Sequence, residues 1–410
     1  MKFSRKLLLC AVTVISAQTA HARLYNYEDL PLGSRGFGMG NTAMALVDDV
    51  GSIYYNPAIL AWAQGDQISA GVSAYSRIDT RTGAYVSLFK SAADNVKRGG
   101  FLSVPAMVGG FFKKTRWTWG GAVMVPNSFV NSGSFKIDDD SDASYESFIE
   151  DIWIDAFGSY DLDDRNSLGV GIFYVSRQSS EKFSYVDKVA GSIAIEFIEK
   201  SWDVNGFSTI IGFSRKQNER LNWGLSLRSP VLIFGAVGRL SDVKSGATEA
   251  GVSDFKPTGV PVPARLSAGF AYTWSEGRTF AADLHLYAPL KTNLHPDKLS
   301  DFEVDLRAIP SLHFGYEHFF RKGLAARVGY FTNLSAAKNV PNGISAIHDK
   351  VNMFGATAAL VFPKESGEVS LGGWAQGGQG RSRSINPTLS GDVPRSNYFY
   401  GGVIASSYRF

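Results

Sequence analysis

The sequence predicts an all-β chain, a transmembrane antiparallel β-barrel of about 14 strands whose N-terminal segment folds inside the lumen as a plug. Three observations predict it. The 410 residues include 43 Gly, 28 Phe and 17 Tyr but only one plausible helix, the composition of an exported, helix-poor barrel. From about Ile68 onward, apolar residues alternate with small or polar ones in stretches of about ten, the weak dyad pattern of membrane strands. Short polar links alternate along the chain with longer ones rich in Gly, Ser, Asn and Asp, and soluble sandwiches lack that alternation.

The elements follow in chain order. Lys2, Arg5 and Lys6 precede an apolar run from Leu7 to Ile15 and the small-residue pattern Ala20-His21-Ala22, so residues 1–22 read as a signal peptide for Sec-type export, cleaved after Ala22. The apolar run is too short to stay in a bilayer as a spanning helix. The one cysteine, Cys10, lies in that run, so the mature chain is expected to hold neither a disulfide nor a thiolate metal site. A formal charge of +3 gives no sign of the clustered basic face that nucleic-acid binding requires.

Residues 23–64 form the expected plug. The stretch GSRGFGMGNTAMALVDDVGSIYYNPAIL, Gly33 to Leu60, is too rich in glycine for a good helix and too irregular for a strand. A barrel of this size encloses more space than wall side chains readily fill, and irregular backbone is tolerated at membrane depth only within protein or a wet cavity. Gly36, Gly38 and Gly40 allow positive φ and close approach to the wall. Asp48 and Asp49 offer acceptors to lumen-facing Arg or to backbone N–H groups, and Pro57 fixes the turn leading out.

Residues 65–410 form the barrel. Strand centres are expected near Val72, Val108, Val123, Ile154, Gly171, Thr209, Leu225, Ala268, Leu284, Leu312, Val328, Thr357, Leu371 and Val403. Leu221-Asn222-Trp223-Gly224-Leu225-Ser226-Leu227-Arg228 shows one greasy and one polar face. In the strand around Leu284, Phe280, Ala282, Leu284 and Leu286 face lipid, while Asp283 and His285 face the lumen. Short turns fall at Lys113 to Arg116, Asp161 to Arg165, Lys216 to Arg220, Trp274 to Gly277, Phe320 to Lys322 and Pro363 to Gly367. The longest irregular loops are expected at Gln178 to Lys200 and Val231 to Pro263. Short periplasmic turns and long outer loops place both termini in the periplasm, with Tyr408 and Phe410 in the aromatic girdle there.

Enzyme chemistry finds little support. The His residues show no His-x-x-x-His spacing, there is no Gly-x-Ser-x-Gly elbow, and Gly36-Phe37-Gly38-Met39-Gly40 lacks the preceding strand and following Lys-Ser/Thr of a phosphate loop. No cofactor and no metal are expected, and the acidic run Asp138 to Asp142 reads as a solvated loop.

The Gly33 to Leu60 stretch, with its Gly-x-Gly-x-x-x-Ala-x-x-Asp-Asp pattern and Asn56-Pro57-Ala58 triplet, resembles the N-terminal hatch of the FadL-type long-chain fatty acid transport proteins. The similarity continues at Val204 to Phe207, Leu227 to Pro230, Val262 to Gly269, Ala325 to Tyr330 and Tyr408-Arg409-Phe410. The resemblance implies a monomer in the outer membrane of a Gram-negative bacterium that passively carries long-chain fatty acids or similar hydrophobic compounds. Its route would run from capture between outer loops to a lumenal site beside the hatch, then out by hatch rearrangement or through a gap in the wall. Ile193, Ile195, Phe197 and Ile198 make one loop unusually apolar, Leu232 and Phe234 begin the other, and an exposed apolar loop usually marks binding. The same runs read equally as strand extensions above the membrane. Arg177 and Arg228 are candidate carboxylate partners, whereas Arg327 with Glu317 or Asp283 reads as a structural pair. Gly120 and Gly121 are candidates for the kinked strand of a lateral gate, since glycine inside a strand marks a bend. The other class of reading is a FadL-like barrel of the PorV type, which holds partner proteins at the surface and transports nothing.

Overall fold

The computed structural model describes residues 25–27, 32–46, 49–82, 101–104, 107–136, 141–188, 193–244, 251–274, 277–299, 302–320, 323–340, 349–383 and 392–410. The expected signal peptide, Asp48 and Asp138 to Asp140 lie outside them.

Fourteen antiparallel strands close the barrel, as the turn spacing predicts. They are β1 (Gln67–Thr82), β2 (described over Phe101–Val104 and Met107–Lys114), β3 (Trp117–Lys136), β4 (Ser141–Asp161), β5 (Asn166–Asp187) and β6 (Ala194–Lys216). β7 (Leu221–Arg228 and Leu232–Lys244) and β8 (Gly251–Phe255 and Arg265–Trp274) are each split in two, and β9 (Arg278–Tyr287) follows. β10 (Ile309–Phe320), β11 (Leu324–Asn333), β12 (Asp349–Lys364), β13 (Gly367–Arg383) and β14 (Asp392–Arg409) complete the wall. β14 pairs back onto β1 from Gln67↔Arg409 to Thr82↔Arg395, so lipid meets no open sheet edge there. A short hairpin, Leu290–Asn293 with Glu303–Leu306, folds separately between β9 and β10.

Period-two alternation produces these strands. Asp283 and His285 are buried in the lumen while Leu286 is exposed outward, and Gly224, Ser226 and Arg228 are buried between the exposed Leu225 and Leu227. Aromatic pairs mark the lower rim of the lipid-facing band: Trp117 with Tyr160 (4.6 Å between ring centroids), Phe112 with Trp119 (5.0 Å) and Tyr408 with Phe410 (6.4 Å).

The wall is uneven in height. The described residues of Gln178 to Lys200 are strand rather than irregular loop: β5 and β6 pair continuously up to Asp187↔Ala194. Much of Val231 to Pro263 is strand as well, through the upper segments of β7 and β8. Above Tyr174 the outward side chains of β5 turn polar, with Ser176, Gln178, Ser180, Lys182 and Ser184, and Lys182 reaches Glu199 across the pair at 3.9 Å. Polar outward residues keep the strand period in water while the ladder satisfies the backbone, so strands outrun the membrane where composition alone suggested loop.

The leading segment runs inside the barrel. It holds α1 (Ser34–Gly38), α2 (Ser52–Tyr55) and a 3-10 turn (Pro57–Trp62). One end is tied to β12 and β13, where Thr357 Oγ1 donates to the Gly38 carbonyl and Ser34 Oγ to Glu368. The other is tied to the opposite wall, where Ser159 and Ser167 donate to the carbonyls of Pro57 and Ala58. Arg327 donates to Glu317 (2.6 Å) and Glu368 (2.8 Å), and Arg35 of α1 donates to Glu317 (2.5 Å). Arg327 thus pairs with Glu317, whereas Asp283 accepts instead from the N–H groups of Ala43 and Met44 (2.7 and 3.0 Å). Removing one member of such a buried network strands the opposite charge, at a cost of about 3–5 kcal/mol. Glu317→Ala should therefore lower the temperature at which the folded barrel loses its compact mobility on unboiled gels.

Candidate functional site

Inward positions of β4, β5 and β7 build a chamber beside the leading segment. β4 supplies Asp151 and Trp153, β5 supplies Phe173, Val175 and Arg177, and the lower segment of β7 ends on Arg228. Arg177 grips Asp151 through two N–H groups (2.5 Å each), and the Asn127 amide donates to the same carboxylate (2.8 Å). Arg228 has no such counter-ion among the described residues. Its guanidinium carbon lies 5.1 Å from the ring centres of both Tyr54 and Trp153, it is 2% exposed, and its Nε and Nη1 meet no acceptor among the described residues. Arg177 Nη1, Trp153 Nε1 and the Tyr27 hydroxyl are also buried without a described partner, and Tyr27 is within electrostatic reach of both arginines.

Buried donors without acceptors cost free energy, and a cluster of them is where an acceptor from outside gains most. The surroundings are otherwise apolar: Met107, Phe111, Met124 and Phe157 belong to the same buried cluster as Trp153, Phe173 and Val175. An apolar enclosure with a few convergent donors is built to orient an amphipathic molecule by its polar end.

The wall beside this chamber is irregular at one height. Gly71, Met107, Met124 and Trp153 are successive partners across β1, β2, β3 and β4. Just above that row β1 shifts register against β14 between Val72 and Tyr75. β3 shifts against β4 between Met124 and Asn127, where Val125 and Pro126 oppose the single residue Ile152. That is a bulge, and Pro126 cannot donate to the ladder. Gly120 and Gly121, the expected gate, pair in regular register. A Cβ added to either would overlap a neighbouring strand's carbonyl oxygen, so these glycines serve close strand approach, and the break lies four residues further up.

The residues expected to form a hatch motif pack as a unit. Asn56 accepts from the Ala58 N–H (3.1 Å) and donates to the Met44 carbonyl and to Ser214 Oγ (2.8 Å each), and Pro57 opens the 3-10 turn. Asp49 accepts from the N–H groups of Ser34 (2.8 Å) and Gly51 (2.9 Å), closing the segment on itself. Gly40 has the positive φ expected of it, at 68°. Gly36 and Gly38 do not, because they lie in α1; at Gly38 an added Cβ would come within 2.9 Å of the Arg327 side chain.

The apolar loop residues do not join Arg177 and Arg228. Ile193 and Ile195 are exposed at the top of the wall, and Phe197 shares their outward parity. Ile198 faces inward beside Tyr145, Phe183 and Lys200. Leu232 and Phe234 are 68% and 59% exposed and lie outside, where Phe234 stacks on Phe207 at 4.8 Å. The two runs are not facing walls of one groove: Ile193, Ile195 and Phe197 lie outward at the top of the wall, Ile198 faces inward, and Leu232 and Phe234 lie on the outward, lipid-facing surface beside Phe207. Tyr27, Tyr54, Trp153 and the Val125-Pro126 bulge were missed by sequence reasoning. The alternation of Asp151, Trp153 and Asp155 with Ile152 and Ile154 carried a signal for Trp153.

The family described as outer membrane protein transport protein (OMPP1/FadL/TodX) matches residues 12–233, more than half of the chain. Among solved structures, a Pseudomonas aeruginosa FadL homologue shares the fold at a TM-score of 0.66 and 14% identity, over 94% of this chain and 100% of the other. The Pseudomonas putida toluene transporter TodX gives 0.63 at 15% identity, over 95% and 100%. The CymD monoaromatic hydrocarbon channel gives 0.63 at 13%, over 92% and 97%. A comparison with curated protein sequences finds no match.

Proposed function

From the chain's place in the OMPP1/FadL/TodX family, to which it belongs, we propose that it admits hydrophobic molecules carrying one hydrogen-bond-accepting head group, long-chain fatty acids foremost. The coarser statement needs no proposal: the protein is an outer-membrane β-barrel transporter of hydrophobic compounds and not an enzyme. The observation that carries the finer reading is Arg228, a buried guanidinium with no counter-ion among the described residues, set between Tyr54 and Trp153. A carboxylate can take two of its N–H groups at once, while the acyl chain lies on Met107, Met124 and Phe173. TodX is described as a toluene transporter and CymD as a monoaromatic hydrocarbon channel. An uncharged hydrocarbon would leave the Arg228 donors unmet, which is why an acid is favoured here.

In this reading the leading segment is the plug that closes the lower bore. The bulge at Val125-Pro126 is the weak seam through which the ligand leaves sideways. Deleting Val125 restores one residue opposite one. Uptake of a radiolabelled fatty acid by cells should then drop roughly tenfold, with ligand affinity of the purified protein unchanged; undiminished uptake removes the seam from the route. Native mass spectrometry of the detergent-purified barrel tests the function itself. A bound acyl compound supports transport, and an empty barrel with a tightly held protein partner would favour surface attachment instead.

A further inference from the structure

A second opening interrupts the wall between β7 and β8, away from the bulge in β3. Leu232 to Val237 pair with β6 on one side. On the other side β8 pairs with β7 only above Gly238 and below Arg228, so the edge from Leu232 to Val237 has no strand partner among the described residues. The stretch that should face it, Lys256 to Ala264, contains Pro257, Pro261 and Pro263, which cannot donate to a ladder. It turns inward instead: Thr258 bonds the Leu294 carbonyl through its N–H (3.2 Å) and the Asn293 carbonyl through its hydroxyl (2.5 Å).

A cleft of about 500 Å³ occupies this place, walled by Ala236, Val237, Phe255 and His295. Its outer lip is Val237, 58% exposed and continuous along β7 with the lipid-facing Phe234 and Leu232. Its inner wall is the His295 ring, packed between Phe255 (4.5 Å) and Phe302 (5.3 Å). His295 Nδ1 accepts the Asp297 N–H at 3.2 Å, so in the neutral ring the proton sits on Nε2. The rim carries Asp254, Asp297 and Lys256, a net negative set that disfavours anions.

We propose that this cleft is a side port through which uncharged hydrophobic molecules dissolved in the outer leaflet enter the upper lumen. The lip is continuous with the lipid-facing surface, the volume suits a small organic ligand, and the aromatic inner wall offers edge and face contacts to a ring. The port rests on the transport reading for its purpose but not for its binding, which is measurable by itself.

The test places a single cysteine at Ser253, with Cys10 replaced by Ser, labels it with bimane, and reconstitutes the full chain in nanodiscs containing increasing 1-bromonaphthalene. Quenching should saturate at position 253 and rise only linearly at a control label on Ile172, on the lipid-facing side of β5. Val237→Trp should raise the half-saturating bromonaphthalene fraction roughly fivefold without altering the circular dichroism. Linear quenching at both sites, absence of quenching at 253, or saturation indifferent to Val237→Trp would each overturn the port. Arg228→Met should leave this signal unchanged. Failure of fatty acid uptake alongside a saturable signal would therefore discredit the transport reading and spare the port.

Discussion

Barrels carrying Gly224→Val or Gly329→Val should conduct ions in planar bilayers while the unaltered protein stays closed. A Cβ at Gly224 would overlap the Met44 carbonyl oxygen and the Asn56 amide, and one at Gly329 would overlap the backbone of Met39 and Gly40. Both glycines face inward on strands whose pairing is otherwise regular, Gly224↔Gly269 and Gly329↔Thr357. Valine favours strands more than glycine does, so the wall is kept and the leading segment is what moves. The Asn56 bonds to Met44 and Ser214 would be lost together. The expected outcome is a change from a sealed to a water-filled bore, with cells newly sensitive to large hydrophilic antibiotics. A closed channel with normal thermal stability would mean that the segment tolerates displacement from the wall, or that something else seals the lumen.

Arg228→Met should weaken binding of a long-chain carboxylate about 10- to 100-fold, since a hydrogen bond to a charged group is worth about 1.5–3 kcal/mol and each 1.4 kcal/mol is tenfold. Binding of the corresponding hydrocarbon should barely change. Arg228→Lys should fall between, because a lysine keeps the charge but not the two-pronged donor. The stability of the empty protein separates a ligand role from a structural one. A buried cation without a counter-ion destabilises the fold that holds it, so Arg228→Met should leave the melting temperature level or raise it. A fall of several degrees with unchanged carboxylate affinity would mark Arg228 as a packing residue.

Much of the architecture is legible in the sequence because a membrane barrel repeats one rule. Every wall strand must present one face to lipid and satisfy its backbone sideways, so period two and short turns locate the fourteen wall strands, though not the short hairpin of Leu290–Asn293 and Glu303–Leu306. The leading segment stands apart in the sequence for a complementary reason: Gly33 to Leu60 has the periodicity of neither a long helix nor a strand, and only an enclosed lumen tolerates such backbone at membrane depth. The rule stops informing once strands leave the lipid. At Gln178 to Lys200 the outward side chains become Ser, Gln and Lys, the composition of a loop, although pairing continues to Asp187↔Ala194. Glycine misled for a different reason. Gly120-Gly121 looked like a hinge, yet the register breaks at Val125-Pro126, because an extra residue displaces a ladder more than a missing side chain does. Arg228 was legible as an inward cation, but its lack of a counter-ion depends on side chains from three separate parts of the chain.

The most direct measurement is to locate the ligand. A fatty acid bearing a diazirine near its carboxyl end, photolysed in the unaltered protein and mapped by peptide mass spectrometry, should attach to Tyr27, Tyr54, Trp153 or Met124, around the Arg228 guanidinium. Cross-links confined to the outward residues of the wall, or unchanged by Arg228→Met, would show that the chamber above the leading segment is not where this protein holds its cargo.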